Sequence, residues 1–433
     1  MKHLYLLVFA LLFPLLTKSQ HLQTSLIYTS DIDRFWIAYD SVKTTIDTAI
    51  QRNYMQKLYI DKGSEGLQAF MKARDYDAEL WVHIINKYPK FWTSIRKNTL
   101  QAKRDAKRIE VSINQFRKLY PELRPAKMYF TIGGLRSGGT TTNDMVLVGA
   151  EIATADQTTD AAELSDWLKN VFKNQQGANL VSVNVHEYVH TQQQPKGQTL
   201  LAQSIREGSA DFISEVVTGK IDSSAYTVYG RQHEARLREL FKLEMFSTET
   251  SNWLYNGSNA PHADLGYFMG YAICQSYYKN QPDKRKAIKD IIELNYQNLQ
   301  LLNDFLTASK YYDKPLNPTE LLKDFEALKP SVVNLSPDIN LKTDVDTTLT
   351  ELTFNFSQTM GEGKSITFGK GGKDHFPLTS IIGFSEDRKS FKVKLALVPD
   401  KDYNFVITGK GFKSKTGHPL KEYTVQFNTK KAR

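Results

Sequence analysis

The chain has 433 residues, 41% of them hydrophobic, and a formal net charge of +9 at pH 7. This length and apolar fraction predict two or three domains with real cores, and the single cysteine, Cys274, excludes an internal disulfide. The basic residues fall on separate helical stretches, such as 96–108 and 284–286, which indicates solvated helix faces and argues against nucleic-acid binding.

The first predicted element is a secretory signal peptide over residues 1–19. Lys2 and His3 precede an apolar run that ends at Leu16, and Ser19 supplies the small residue at the cleavage site. This run is shorter than the ~20 residues that a membrane-spanning helix needs, and no later run approaches that length. No cysteine follows it that could carry a lipoprotein anchor. The sequence therefore predicts a secreted or periplasmic protein with no membrane span in the mature chain.

Residues 30–120 are predicted to be helical, because apolar residues such as Leu67 and Phe70 recur at helical spacing. The pattern then changes to two β-rich runs at 127–132 and 145–148, which are separated by glycine pairs. A helical segment followed by a small sheet favours the α+β class for this part of the chain.

Residues 180–213 carry the strongest chemical signal in the chain. His186 and His190 are four residues apart, so on a helix both imidazoles lie on one face, one turn apart, where they can bind a single metal ion. Glu187 projects beside them, toward water on the same ion. This is the His-Glu-x-x-His pattern of zinc hydrolases.

A catalytic zinc takes three protein ligands and keeps one position for water, and Glu207 can supply the third ligand. Asp211 lies one helical turn after Glu207, on the same face, and can accept the N–H of a ligand histidine and so fix its tautomer. The glycine and third histidine of the metzincin pattern are missing after His190. No cysteine is near, which argues against a structural zinc site.

At these residues the chain resembles the gluzincins, zinc peptidases with His-Glu-x-x-His on one helix and Glu-x-x-x-Asp on the next. It is more similar to a group of bacterial predicted zinc-dependent proteases, related to gliding-motility lipoproteins, in which Glu-Gly-x-Ala-Asp-Phe follows; here this is 207–212. The resemblance covers roughly residues 55–280. It implies a mostly helical, zincin-like α+β domain with a small β-sheet, one strand of which edges the cleft and pairs with an extended substrate.

The resemblance also suggests a role for Glu151. Gluzincin aminopeptidases carry a Gly-x-Met-Glu-Asn strand upstream, and its glutamate binds the free amine of the substrate. Gly149-Ala150-Glu151 keeps the glycine and the glutamate but lacks the Met-Glu-Asn core. Glu151 is therefore either an amine anchor for the substrate or a charged residue at a strand end.

A further candidate is Tyr267, because Tyr267-Phe-Met-Gly270 resembles the Tyr-x-x-Gly helix that brings the catalytic tyrosine of gluzincin aminopeptidases. The resemblance implies that Tyr267 donates a hydrogen bond to the oxyanion that develops on the scissile carbonyl. Tyr271, His233 and His262 are the alternative donors, and a packing role is the alternative for Tyr267 itself.

From about residue 329 the composition changes to short alternating segments separated by Gly, Asp and Lys turns, which predicts a β-sandwich of about a hundred residues. The segments around Ser336-Pro337 and Phe356 resemble bacterial Ig-like domains. No cluster of ligand residues falls here, so this domain is expected to dock to an envelope or surface partner or to act as a spacer.

The predicted organisation is a signal peptide at 1–19, a zincin-like metallopeptidase domain at 20–328 with its metal site at 180–213, and an Ig-like β-sandwich at 329–433. The predicted function is that of a secreted zinc peptidase acting on peptides or proteins. In this hypothesis Zn²⁺ is held by His186, His190 and Glu207. Glu187 is the general base, and Tyr267 is the oxyanion donor.

Two alternatives stay open at the level of the sequence. One is a non-catalytic envelope protein, or an accessory protein for gliding or secretion, built on the same scaffold. In such a protein the metal-ligand pattern should be eroded, whereas here every polar position is present, which favours the enzyme. The other is a zinc hydrolase that acts on non-peptide amides or esters.

Overall fold

The computed structural model describes residues 26–142, 144–174, 180–257 and 260–431. The predicted signal peptide lies outside these residues. The fold is α+β, as predicted. It divides into two compact units, of which the first ends at Thr191 and the second begins at Gln192. None of the described helices combines the length and the apolar character that crossing a membrane requires.

The first unit begins with the helices predicted for residues 30–120. They are α1 (Ser30–Val42), α2 (Thr48–Met55, continued by a π-helical turn over Gln56–Ile60), α3 (Glu65–Arg74), α4 (Ala78–Lys87) and α5 (Pro89–Leu119). Asp47, Ser64 and Asp77 cap α2, α3 and α4 by accepting hydrogen bonds from the first backbone amides of each helix. Pro89 occupies the first position of α5, where its missing N–H has no helical partner to lose.

A four-stranded sheet follows, formed by β1 (Ile27–Tyr28), β2 (Lys127–Thr131), β3 (Gly139–Thr141) and β4 (Met145–Gly149) in the order β1-β2-β4-β3. The strands β1, β2 and β4 are parallel, while β3 runs antiparallel to β4 at the edge. The two β-rich runs of the sequence are thus confirmed as β2 and β4. The edge strand β3 was not predicted, because its residues lie in the glycine-rich segment between them.

Three helices complete the first unit: α6 (Ala150–Ala153), α7 (Asp166–Asn174) and α8 (Leu180–His190). The motif helix α8 packs against α5 and against the strands β3 and β4. Tyr188 stabilises this packing. Its buried ring lies 6.4 Å from that of Phe116 on α5, and its hydroxyl accepts a hydrogen bond from the Ala126 amide at 2.9 Å. The apolar side of α8 therefore fixes which way its polar side faces.

The helices of the second unit are α9 (Leu200–Thr218), α10 (Ala225–Glu244), α11 (Leu265–Asn280), α12 (Lys284–Ile292), α13 (Leu299–Ser309) and α14 (Pro318–Leu328). Glycines bring α9 and α11 into backbone contact: a Cβ on Gly208 would lie 2.0 Å from the Tyr271 nitrogen, and one on Gly270 would lie 1.7 Å from the Ser204 oxygen. No side chain fits at either position, so this close crossing fixes the register of α11 on α9.

The second unit ends in two antiparallel sheets. Their strands are β5 (Val332–Ser336), β6 (Glu351–Phe356), β7 (Ile366–Phe368), β8 (Leu378–Phe384), β9 (Ser390–Leu395), β10 (Asp402–Ile407) and β11 (Tyr423–Asn428). One sheet has the order β5-β6-β9-β8 and the other β11-β10-β7, and both contribute to a single apolar core that includes Phe354 and Phe405. The change from helix to strand follows α14, close to the domain boundary predicted at residue 328.

Candidate metal centre

The two histidines of the motif lie one turn apart at the end of α8. Their Nε2 atoms are 3.0 Å apart, and the ring planes are inclined at 89°. Two nitrogens bound tetrahedrally to one zinc at about 2.0–2.1 Å are roughly 3.3 Å from each other. The spacing of the Nε2 atoms of His186 and His190 therefore suits a shared metal ion.

Glu207 joins this pair. One ligand atom each from His186, His190 and Glu207 can be chosen so that all three lie within 4.8 Å of one another. Among the described residues, this is the single group of three or more His, Cys, Asp or Glu side chains that could hold a metal ion. Two imidazoles and one carboxylate match the donor set of catalytic zinc sites.

The Glu207 side chain is held in place by neighbours in its own unit. Glu207 is only 7% exposed, and its Oε1 accepts a hydrogen bond from Arg206 Nη1 at 3.0 Å. The hydroxyl of Tyr255 lies 3.4 Å from the same oxygen. Since a carboxylate carries two oxygens, it can accept these contacts on Oε1 and coordinate a metal through Oε2.

A buried glutamine supports the turn of α9 that carries Glu207. The side-chain amide of Gln193 donates hydrogen bonds to the Arg206 carbonyl and to the Ser209 hydroxyl, both at 2.8 Å. These bonds tie the segment that follows α8 to the helix turn that carries Glu207. Sequence reasoning missed Arg206, Gln193 and Tyr255, because none of them belongs to a motif, although Arg206 is adjacent to Glu207.

Asp211 lies one turn further along α9, as the sequence predicted. Its Oδ2 accepts a hydrogen bond at 3.0 Å from the hydroxyl of Tyr226, which lies near the start of α10. Burial, followed by the negative charge of Asp211, raises the pKa of Tyr226 well above its usual value, so this phenol stays protonated as the donor. The predicted contact of Asp211 with a ligand histidine stays a prediction.

Tyr267 lies in the first turn of α11, with its ring 5.3 Å from that of Tyr226 and 6.4 Å from that of Tyr255. Burial, and next the charge of Glu207, raise the pKa of Tyr267 far above its ordinary value. The Tyr267 phenol therefore stays protonated at neutral pH and can donate a hydrogen bond. The structure thus places Tyr267 in a cluster of three tyrosines near Glu207.

The alternative donors have partners elsewhere. The hydroxyl of Tyr271 donates to Glu215 at 3.0 Å and accepts a hydrogen bond from Arg231 at 3.1 Å. The rings of His233 and His262 both stack on Tyr229, at centroid distances of 4.0 and 3.6 Å. These contacts give each of the three side chains a packing or hydrogen-bonding role.

Glu151 is fully buried in the short helix α6, directly after β4. Its carboxylate accepts hydrogen bonds from the amides of Gly133 at 2.7 Å and Leu135 at 3.2 Å. Burial raises the pKa of Glu151 to about 7. These contacts hold the glycine-rich loop between β2 and β3 and support a structural role, while the amine-anchor role stays a prediction.

A match to one protein family agrees with the metal motif. Residues 167–299 match a family described as "Predicted Zn-dependent protease (DUF2268)". The matched region runs from α7 to the start of α13 and contains His186, His190 and Glu207. This similarity supports a zinc-protease family for this part of the chain. No curated protein matches the chain.

Solved structures of the bacterial S-layer protein SbsC align with the chain only weakly. The structure of rSbsC(31-844) is 12% identical, with 94% of this chain and 45% of that chain covered and a TM-score of 0.18. The N-terminal part of SbsC is 16% identical, with 61% of this chain and 62% of that chain covered and a TM-score of 0.18. The structure of SbsC domains 1–6 is 14% identical, with 94% of this chain and 46% of that chain covered and a TM-score of 0.19. The chain spans less than half the length of two of these structures. TM-scores this low carry no inference about fold or function.

Proposed function

We propose that this chain is an exported zinc-dependent peptidase. The observation that supports this most strongly is the grouping of two imidazoles, with Nε2 atoms 3.0 Å apart, and the Glu207 carboxylate within 4.8 Å. The order of these residues along the chain, His-Glu-x-x-His on one helix and glutamate on the next, is typical of zinc peptidases rather than structural zinc sites.

His186, His190 and Glu207 are the proposed ligands of Zn²⁺. When bound, zinc lowers the pKa of a water molecule to about 7 and polarises the scissile carbonyl. Glu187 follows His186 on α8 and is half-buried. As general base, Glu187 takes the proton of the attacking water and passes it to the leaving nitrogen of the peptide. The sequence resemblance names Tyr267 as the donor to the carbonyl oxygen as negative charge develops there, and the tyrosines near Glu207 are the candidates for this role.

The edge strand β3 is the proposed binding site for the substrate backbone. Within the described residues, β3 pairs on one side with β4, and its residues are half-buried. The motif helix α8 packs against both strands. An extended peptide added to the outer side of β3 would therefore run close to α8, and its backbone would gain hydrogen bonds without any requirement on its sequence.

The outer parts of the chain have proposed roles as well. We propose that residues 1–19 direct export and are removed, which places the peptidase in the periplasm or outside the cell. The sandwich over β5–β11 is proposed to be Ig-like and to dock to an envelope or surface partner. N-terminal sequencing of the protein recovered from the producing cell tests the cleavage site, and a first residue other than Gln20 contradicts it.

The metal content tests the peptidase proposal directly. Protein purified without chelators should contain about one equivalent of zinc and cleave members of a quenched fluorogenic peptide library. The matched variant Glu187→Gln should keep its zinc and its fold, while its kcat falls by about 10³- to 10⁴-fold, since only the general base is lost. Wild-type protein with less than half an equivalent of zinc, or a Glu187→Gln variant of unchanged activity, contradicts the proposal.

A further inference from the structure

A loop of the second unit presents a second tyrosine to the proposed ligand Glu207. Tyr255 lies between α10 and α11, and its hydroxyl is 3.4 Å from Glu207 Oε1. The side chain is nevertheless 57% exposed, so solvent and substrate can reach it. The hydrogen bond is long compared with the ~2.7–2.8 Å typical of O–H···O bonds, so the hydroxyl can turn toward a better acceptor.

The backbone of this loop holds Tyr255 in an unusual conformation. Its φ is +56°, a left-handed value that is rare for a bulky residue and that persists only where the surrounding structure imposes it. Here the loop is closed by Asn256 and Asp264, since the amide of each donates to the side chain of the other, at 3.3 and 2.8 Å. A hydrogen bond of 2.8 Å from the Gly266 amide to the Trp253 carbonyl closes it again. Residues in such strained conformations cluster at functional sites.

A lysine fixes the ring of Tyr255. The Nζ atom of Lys196 lies 4.8 Å from the ring centroid and donates a hydrogen bond to the hydroxyl at 3.3 Å. This contact restricts an otherwise exposed ring, and a positive charge beside the hydroxyl makes its proton a stronger donor. Lys196 therefore positions Tyr255 rather than contacting the reacting atoms itself.

The two tyrosines near Glu207 differ in access. The ring of Tyr267 is packed against Tyr226 and Tyr255, whereas Tyr255 is 57% exposed to solvent. An oxyanion donor has to reach the position of the developing charge without displacing its own packing. We propose that Tyr255 is the catalytic donor to the oxyanion, positioned by Lys196, and that Tyr267 supports it by packing. This inference rests on the proposed peptidase function.

A matched pair of variants tests this assignment, with the best-cleaved peptide of the quenched library as the probe. Tyr255→Phe keeps the ring and its contact with Lys196 and removes only the hydroxyl. Its kcat should fall by about 10²- to 10³-fold, with KM and zinc content nearly unchanged, because the hydroxyl acts in the transition state. Tyr267→Phe should keep kcat within about threefold. The affinity for a phosphinic peptide, which resembles the tetrahedral intermediate, should fall for Tyr255→Phe and not for Tyr267→Phe.

Lys196 provides a graded readout that a merely structural role would not reproduce. Lys196→Gln should lower kcat by about tenfold at constant KM, and Lys196→Arg should restore most of it. An unchanged kcat in Tyr255→Phe, or a fall of about 10²- to 10³-fold in the kcat of Tyr267→Phe instead, contradicts this inference and leaves the peptidase proposal intact. Wild-type protein that holds no zinc and cleaves no peptide removes both.

Discussion

The region around the candidate site buries charged side chains, whereas the core of the β-sandwich buries apolar ones. Residues 127–280 bury two carboxylates, Glu151 and Glu207, each held by backbone amides or by Arg206 and Tyr255. The shared core of the sandwich is apolar throughout, and the buried polar residues described around it are small hydroxyl side chains such as Thr408. Burying a charge without partners costs several kcal/mol, so a fold retains buried carboxylates where they bind or position something. The comparison teaches that chemistry should reside in the first region, while the buried core of the sandwich contributes stability.

The largest expected effect on stability lies in the sandwich. Phe405 is 0% exposed in β10, and its ring lies 6.2 Å from that of Phe354. Phe405→Ala leaves a cavity in the shared core, so the free energy of unfolding should fall by about 3–5 kcal/mol in urea titrations. The kcat of the molecules that remain folded should not change, and the conservative variant Phe405→Leu should lose much less stability. A drop in kcat without a drop in stability would show that the sandwich takes part in the chemistry and would break the comparison.

The next effect concerns Glu151 and is a dependence on pH. Burial raises the pKa of Glu151 from its ordinary value of 4.5 to about 7 in the folded protein. Between these values the unfolded chain releases the proton while the folded chain keeps it, so the free energy of unfolding falls as pH rises. The total loss across this window is roughly 3 kcal/mol if the loop cannot rearrange. Below pH 4.5 both states are protonated and the effect is fully absent.

The matched variant isolates this contribution. Glu151→Gln keeps the shape of the side chain but has no proton to lose, so the difference in stability between wild type and variant should change between pH 4.5 and 7 and level off above it. Parallel curves would contradict a raised pKa. Activity on amino-blocked and free peptides, measured on the same variant, tests the amine-anchor prediction separately, since only an amine anchor discriminates between them.

The sequence predicts the secondary-structure elements better than the contacts between them. The helices of residues 30–120, the strands β2 and β4 and the sandwich strands follow from local periodicity, and structure confirms them. The edge strand β3 has no periodicity of its own, because Gly139-Thr-Thr becomes a strand only by pairing with β4. The approach of Tyr255 to Glu207 spans 48 positions and depends on a positive φ, which no local pattern reports. The grouping of His186, His190 and Glu207, in contrast, was predictable because the motif fixes both helices.

The smallest expected effect tests whether the hydrogen bond to Asp211 serves stability or chemistry. Tyr226→Phe removes the 3.0 Å bond to Asp211 and leaves the ring in its cluster. A hydrogen bond to a charged group contributes about 1.5–3 kcal/mol, so the free energy of unfolding should fall by an amount of that order or less. If Asp211 acts only through the fold, zinc affinity should stay unchanged. If Asp211 orients a ligand histidine, as predicted, freeing it from Tyr226 should change zinc affinity, and Asp211→Asn should lower it by about 10- to 100-fold. Equal zinc affinity in wild type and both variants would show that Asp211 contributes only to stability, as the buried residues of the sandwich core do.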